Sequence, residues 1–111
     1  MSRSAITTHV LDTAAGVPAR NIPVRLEFRV AGNWRELGAA HTDDYGRVSA
    51  IGPATVTPGD YRLTFDTAAY FGAREHFFPE AVVTFTVADP AQHHHVPLLL
   101  SPFATSTYRG S

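Results

Sequence analysis

The 111-residue chain contains no cysteine and no lysine, and each absence excludes a class of chemistry. Without cysteine there is neither a disulfide nor a thiol nucleophile. All nine basic residues are arginines, so a Schiff base on a lysine side chain is excluded. No stretch approaches the roughly 18 consecutive apolar residues of a membrane span. The net charge of -1 gives no broad electrostatic basis for binding nucleic acid or an anionic membrane, and neither partner is expected.

The segment before the first strand-like run, residues 1–5, lacks the apolar h-region of a signal peptide. Together with the missing cysteines, this predicts a cytoplasmic protein. No linker, repeat or low-complexity stretch interrupts the chain, so residues 1–111 are expected to form a single domain. A chain of this length is able to bury roughly two-thirds of its unfolded surface.

Common catalytic and nucleotide-binding motifs are also missing. There is no Gly-x-Ser-x-Gly elbow, no phosphate-cradling Gly-x-x-x-x-Gly-Lys and no Gly-x-Gly-x-x-Gly. The carboxylates show no spacing typical of glycosidases. Two histidines, an arginine and a tyrosine remain, a set suited to activating water and stabilising an oxyanion on a small polar anion.

The dominant hydrophobic period is two residues, which predicts an all-β fold. Three half-buried strands follow from alternating apolar residues in 24–30, 61–65 and 83–87. Turn signals at residues 16–18, 31–33, 43–46, 58–59 and 89–90 separate the runs, as in an antiparallel sandwich. One segment breaks the period: Asp66 is a candidate N-cap and Gly72 a stop, so a short helix is predicted between them.

His9 lies on a predicted strand over residues 5–12, where Thr7, His9 and Leu11 share one face. Most often such a histidine is simply bonded to a neighbouring strand, and catalysis is the alternative. Arg47 follows the tight turn of residues 43–46 and is open to two interpretations. It is either a solvated arginine after a hairpin or a rigid cation held ready for a planar anion, which its fork binds bidentately.

The run His93-His94-His95 allows two side chains at most to converge, because neighbouring strand residues point to opposite faces. With no cysteine to add, the ligand count does not favour zinc, and no metal site is predicted. Pro97 lies on the same face as His95. Since proline cannot donate to a sheet ladder, it indicates a sheet edge or an interface at this point.

Three separated segments carry a family resemblance: residues 6–12 (ITTHVLD), residues 95–102 (HVPLLLSP) and residues 108–111 (YRGS). Through them the chain resembles the 5-hydroxyisourate hydrolases of the transthyretin-related family, nearly from end to end. The resemblance implies a transthyretin-like antiparallel β-sandwich with one short helix. It also implies hydrolysis of 5-hydroxyisourate at a cyclic amide, giving 2-oxo-4-hydroxy-4-carboxy-5-ureidoimidazoline in urate catabolism, with no cofactor and with a homotetramer built as a dimer of dimers.

The resemblance assigns the site residues one by one. His9, Arg47, His95 and Ser111 are expected to be catalytic, and His9, Arg47 and Tyr108 to bind the substrate. One histidine would take a proton from water, with His9 favoured and His95 as its partner, although the sequence does not order the two. Arg47 would bind the anionic purine edge, while Ser111 would help to close the pocket. His94 stands where the family usually has an aromatic residue.

Two other functions fit the same fold. One is a transthyretin-type small-ligand carrier without catalytic activity, and the other is an inactive interaction module. The polar set of His9, Arg47 and His95 with the Tyr-Arg-Gly-Ser end favours a hydrolase, because it would suit an apolar hormone channel poorly. Fold alone does not separate the three.

Overall fold

Two β-sheets packed face to face form the protein, which the computed structural model describes over residues 4–111. The first sheet contains five strands: β1 (Ile6–Asp12), β2 (Val17–Pro18), β5 (Arg47–Val48), β8 (His94–Ser101) and β9 (Ala104–Thr107). The second contains four strands: β3 (Pro23–Val30), β4 (Asn33–His41), β6 (Gly59–Phe65) and β7 (Ala81–Val87). The predicted all-β sandwich is confirmed.

Strand β1 lies in the interior of the first sheet, whose order is β2-β1-β8-β9. Both β2 and β5 pair antiparallel with β1, while β8 runs parallel to it. This parallel pair is an exception to the antiparallel pairing found everywhere else among the described strands. It brings the segment after residue 93 alongside the start of the chain, which positions the candidate site.

The alternating residues of the strands build most of the core as predicted, although in β3 Val30 is exposed and Glu27 is buried. Tyr61, Leu63 and Phe65 of β6 are at most 2% exposed. From the first sheet, the residues facing them are Ile6, Val10, Val96, Leu98 and Leu100, all buried. Burying one such side chain fully contributes about 1.5–3 kcal/mol. Because successive strand residues point to opposite faces, this burial turns Thr7, His9 and His95 to the outer face of the first sheet.

The predicted helix is α1 (Thr67–Phe71). The Asp66 side chain accepts a hydrogen bond from the Ala69 N–H at 3.0 Å, which satisfies one of the free donors of the first turn. The helix ends at Gly72, whose φ of 59° favours glycine. Tyr70 of this helix reaches back to Asp12 at the end of β1, so the helix is tied to the sheet that carries His9.

Of the two expectations at Pro97, the sheet edge is wrong, because β8 lies between β1 and β9, whereas the interface stays a prediction. Gly110 N–H donates to the His95 carbonyl and Thr107 Oγ1 to the Pro97 carbonyl, so both backbone carbonyls face the β9 side. There the ladder is interrupted between the Leu98–Thr107 pair and the His95–Gly110 bridge. Proline is tolerated at this gap, because the ladder has no hydrogen bond there that would require a backbone N–H.

Two further expectations concern membranes and targeting. Over residues 4–111, no helix is both long and apolar enough to cross a bilayer. The predicted absence of a signal peptide rests partly on residues 1–3, which lie outside the described residues.

Candidate functional site

The outer face of strands β5, β1 and β8 gathers three of the predicted site residues. In the register of the sheet, His9 lies opposite Arg47 on one side and Pro97 on the other. His95 lies opposite Thr7 on the parallel partner. A pocket of about 340 Å³ opens here, lined by Thr7, Thr8, Arg47, Val48, Ser49 and His95. Arg47 and His95 therefore line one shallow pocket, and His9 lies opposite Arg47 on the same face of the sheet without lining the pocket.

The turn before Arg47 is rigid and packed against β1. Asp43 Oδ1 accepts from the N–H groups of both Tyr45 and Arg47 at 2.9 Å, which closes the turn locally. Gly46 has a φ of 76°, and a Cβ there would lie 2.3 Å from the Val10 carbonyl oxygen. Only glycine allows the turn to approach β1 so closely. Of the two interpretations of Arg47, the structure therefore supports the second, in that the turn fixes the position of the Arg47 backbone.

The His9 ring is oriented by the same turn. Its Nε2 lies 3.0 Å from the Tyr45 carbonyl oxygen. A carbonyl oxygen only accepts, so Nε2 carries the proton and donates it to Tyr45. In neutral His9 this leaves Nδ1 as the nitrogen with a lone pair. His9 is thus hydrogen-bonded through one ring nitrogen, although its partner lies in a turn and not in a neighbouring strand as expected, while the other nitrogen is available for chemistry.

Arg47 itself is exposed, and within residues 4–111 no carboxylate lies within ion-pair distance of its guanidinium. Arg74 differs, because it donates to the buried Asp12 carboxylate at 2.9 Å. An unpaired guanidinium next to two imidazoles gives the pocket a positive character suited to an anion.

His95 is held from two sides. Its Nδ1 lies 2.8 Å from Thr7 Oγ1. On the other side Gly110 is bridged to it, with the Gly110 N–H donating to the His95 carbonyl at 2.9 Å. The ring is consequently half-buried and has little freedom to turn.

Sequence reasoning missed Thr7 and Ser49 as members of the site, and it missed His93 as a neighbour of the site. Thr7 Oγ1 lies 2.8 Å from His93 Nε2 as well as from His95 Nδ1, so one hydroxyl joins two imidazoles. The available signal was the strand period, which places Thr7 on the same face as His9 two residues earlier. Ser49 lines the pocket two residues after Arg47. Among residues 4–111, no group of three or more His, Cys, Asp or Glu is placed to hold a metal ion.

Within this one chain, neither Tyr108 nor Ser111 lines the pocket beside Arg47. Tyr108 is 58% exposed and lines a second pocket of about 230 Å³ between β7 and β8, which His95 also lines. Arg109 donates to the Gln92 side chain at 2.9 Å. Ser111 is exposed beside Gly110.

His94 points to the opposite side from His95 and is only 4% exposed. Over the described residues, its buried Nδ1 completes no hydrogen bond. Burial lowers the pKa of His94, and the positive charge of Arg109 lowers it further. The Gln92 backbone and Asp89 oppose this shift without reversing it. His94 therefore belongs to the packing between the sheets and not to the candidate site.

Comparisons with known proteins agree on one family. The sequence matches the HIUase/Transthyretin family over residues 6–110. A 5-hydroxyisourate hydrolase of Mus musculus is 45% identical over 113 residues, covering 97% of this chain and 96% of that protein. The structure of 5-hydroxyisourate hydrolase from Klebsiella pneumoniae has a TM-score of 0.85 at 34% identity and covers 100% of both chains. Transthyretin from Sparus aurata has a TM-score of 0.86 at 28% identity, covering 97% of each chain. The chain belongs to the HIUase/transthyretin family.

Proposed function

We propose that the protein hydrolyses 5-hydroxyisourate by opening its ring at a cyclic amide bond, which yields 2-oxo-4-hydroxy-4-carboxy-5-ureidoimidazoline in urate (purine) catabolism. One observation carries the proposal: His9, Arg47 and His95 share one face of three adjacent strands beside a pocket. The naming of the similar mouse and Klebsiella proteins as 5-hydroxyisourate hydrolases supports it. No cofactor is required, because amide hydrolysis needs only water, a base and a charge acceptor.

Catalysis begins with activation of water by the histidines. Because the Tyr45 carbonyl holds the proton of His9 on Nε2, the Nδ1 lone pair is free to accept a proton from water. The water oxygen then forms a bond to the amide carbonyl carbon, and the ring C–N bond breaks as its nitrogen takes up a proton. His95 is the partner that helps to hold the water, opposite Thr7 on the neighbouring strand.

Arg47 supplies the electrostatic part of the reaction. A tetrahedral intermediate places negative charge on the former carbonyl oxygen, and a fixed cation beside it lowers the barrier. Its planar fork also suits the edge of an anionic purine derivative, to which it donates two parallel hydrogen bonds. The absence of a carboxylate partner within residues 4–111 leaves this fork available.

Residues Tyr108 and Ser111 complete the site in an assembled homotetramer, a dimer of dimers. The shallow pocket on an outer sheet face supports this, since a small sandwich cannot enclose a bicyclic ligand alone. All four residues of β9 are exposed, and it is the last strand of its sheet. The exposed Phe103 and Tyr108 flank this strand. We further propose a single transthyretin-like domain over residues 1–111 that acts in the cytoplasm.

The first experiment follows the ultraviolet absorbance of freshly generated 5-hydroxyisourate with and without the protein. Wild type should accelerate its decay, while His9→Ala and Arg47→Ala should lose about a hundredfold or more of that acceleration. His41→Ala and Arg20→Ala serve as matched controls, since both residues are exposed and remain outside the pocket. A well-folded wild type that leaves the decay rate unchanged would refute the hydrolase and bring the ligand-carrier alternative forward. Analytical ultracentrifugation of the same sample tests the tetramer.

A further inference from the structure

A single hydroxyl group connects the candidate site to a histidine outside it. Thr7 Oγ1 lies 2.8 Å from Nδ1 of His95 and 2.8 Å from Nε2 of His93. Thr7 is 2% exposed, whereas His93 is exposed at the surface. The contact is possible because β1 and β8 pair in parallel with Thr7 opposite His95. The order across the sheet surface is therefore His93, Thr7, His95.

One hydroxyl has a single proton, so Thr7 cannot donate to both imidazoles. If it donates to His93, it must accept from Nδ1–H of His95, and the proton of neutral His95 is then absent from Nε2. If it donates to His95, the proton of His95 sits on Nε2 and His93 becomes the donor. The hydroxyl thus couples the tautomers of the two rings. When Nε2 of His93 accepts the hydroxyl proton, Nδ1 of neutral His95 is protonated and its Nε2 carries the lone pair.

We propose that Thr7 and His93 are positioning residues that hold His95 as its Nδ1–H tautomer. The chain of hydrogen bonds then runs from His95 Nδ1–H to Thr7 Oγ1 and from Thr7 Oγ1–H to His93 Nε2. In this arrangement Nε2 of His95 is an acceptor. His9 likewise offers an acceptor, Nδ1, because its Nε2–H is used by the Tyr45 carbonyl. Two acceptors are what a water molecule needs when both its protons are to be held and its oxygen is to attack.

This inference rests on the proposed function, because the need for two acceptors at the water is what selects the Nδ1–H tautomer of His95. The contact of Thr7 with both imidazoles does not depend on that function. The tautomer of His95 is a property of the resting protein. It can be read by two-dimensional ¹H–¹⁵N NMR of the imidazole nitrogens, with or without activity. The two ring nitrogens have distinct ¹⁵N shifts depending on which of them carries the proton.

The experiment compares wild type with Thr7→Val, Thr7→Ser and His93→Ala, using thermal unfolding to confirm that each variant is folded. Wild-type His95 should show a protonated Nδ1 as the single neutral tautomer, and Thr7→Ser should retain it. Thr7→Val should give a mixture of tautomers and reduce kcat about tenfold or more with KM little changed. His93→Ala should shift the mixture in the same direction with a smaller loss of kcat. His41→Ala, on the second sheet, is the control expected to change neither quantity.

The outcomes separate this inference from the proposed function. A wild type with its His95 proton on Nε2, or a Thr7→Val variant with wild-type tautomer and kcat, overturns the positioning role even if the enzyme is active. The positioning role is also overturned if Thr7→Ser behaves like Thr7→Val, because the hydroxyl that serine retains would then have no effect. A wild type that fails to accelerate decay of the substrate refutes the hydrolase, while the NMR result still decides the tautomer.

Discussion

Gly110 lies so close to His95 that a Cβ at Gly110 would come within 2.7 Å of His95 Cδ2. The same Cβ would be 3.2 Å from Pro97 Cγ. The need for glycine here is purely steric, because the backbone angle at Gly110 is not in the left-handed region. The segment that follows β9 is therefore fitted against the imidazole, and its glycine is part of the way His95 is held.

Gly110→Ala is expected to reduce activity at least tenfold while the melting temperature changes little. The added methyl must displace either the His95 ring or the C-terminal segment, and small misplacements of a catalytic group are costly. Kinetics with 5-hydroxyisourate measure the activity, and thermal unfolding of the same preparation measures the melting temperature.

Gly52→Ala is the matched control. Its methyl would lie 2.8 Å from Leu26 Cδ2, a fully buried core atom on the other sheet. Overpacking of this kind costs about 1–3 kcal/mol of stability, whereas the folded fraction should keep its activity. Equal activity loss in the two variants would show that the contact between Gly110 and His95 has no special role.

Arg47→Lys is expected to raise KM about tenfold and to lower kcat as well. Lysine keeps the positive charge but loses the planar fork, so one of two charge-assisted hydrogen bonds to the substrate disappears. Steady-state kinetics measure both parameters. Arg20→Lys is the control, since Arg20 makes only a long surface pair of 3.9 Å with Asp44. Unchanged kinetics for Arg47→Lys would mean that charge alone, without bidentate geometry, is sufficient.

Asp12→Asn is expected to lower the free energy of unfolding by about 2–4 kcal/mol. The Asp12 side chain is fully buried and accepts hydrogen bonds from two backbone N–H groups, from Tyr70 and from Arg74. An amide group turns one acceptor into a donor that faces other donors. Urea unfolding at equal protein concentrations measures the loss. Asp89→Asn is the control, because the exposed Asp89 accepts a single turn hydrogen bond that asparagine also accepts.

The Asp12 carboxylate is also expected to make the protein less stable in acid. Burial alone raises the pKa of Asp12, but hydrogen bonds from Tyr70, the Ala15 backbone and Arg74 outweigh it and bring the pKa below 3.8. A carboxylate with a depressed pKa stabilises the fold above its unfolded pKa, and this stabilisation is lost as pH falls through the folded value. Asp12→Asn should therefore flatten the decline of stability below pH 4. If Asp12→Asn shows the same decline as wild type, the loss of stability in acid is caused by other carboxylates.

His94→Phe is expected to remove part of the stability loss between pH 7.5 and pH 5.5. Because burial lowers the pKa of His94, the folded state takes up a proton on this ring at a lower pH than the unfolded state, which binds one below about pH 6.5. The contribution of neutral His94 to the stability of the fold is complete above the pKa of the unfolded state. It declines as the pH falls towards the pKa of the folded state. Melting temperatures at the two pH values measure it, with His41→Phe as the exposed control. A steeper decline in His94→Phe than in wild type would contradict the explanation.

Several parts of the structure could be predicted from local patterns. The alternation in β3, β6 and β7 and the cap of α1 at Asp66 depend on neighbouring residues only, so they are visible in the sequence. The shared face of Thr7 and His9 follows from the same period of two. What His9 and Arg47 do at this face remains a prediction, although the antiparallel pair that joins them supports it.

Other parts could not be predicted because they depend on pairing between distant segments. The edge expected at Pro97 proved wrong, since nothing local reveals that the strand beside it pairs only in part. The contact of Thr7 with His93 requires the parallel pairing of β1 with β8, which no residue period encodes. The surroundings of His94 also depend on distant segments, because β7 and Arg109 line one pocket together with it.

The amino-acid sequence alone specifies which residues alternate into the core, where the chain turns, and which chemical groups are available: histidine, arginine and hydroxyl, without cysteine or lysine. These are local or compositional properties, governed by side-chain type and by the two-residue repeat of a strand. Three relations appear only once the strands are paired: Arg47 lies opposite His9, Thr7 contacts both His93 and His95, and Gly110 lies against the His95 ring. Strand register sets those relations, because a shift by one residue would turn each of these side chains to the other face of the sheet.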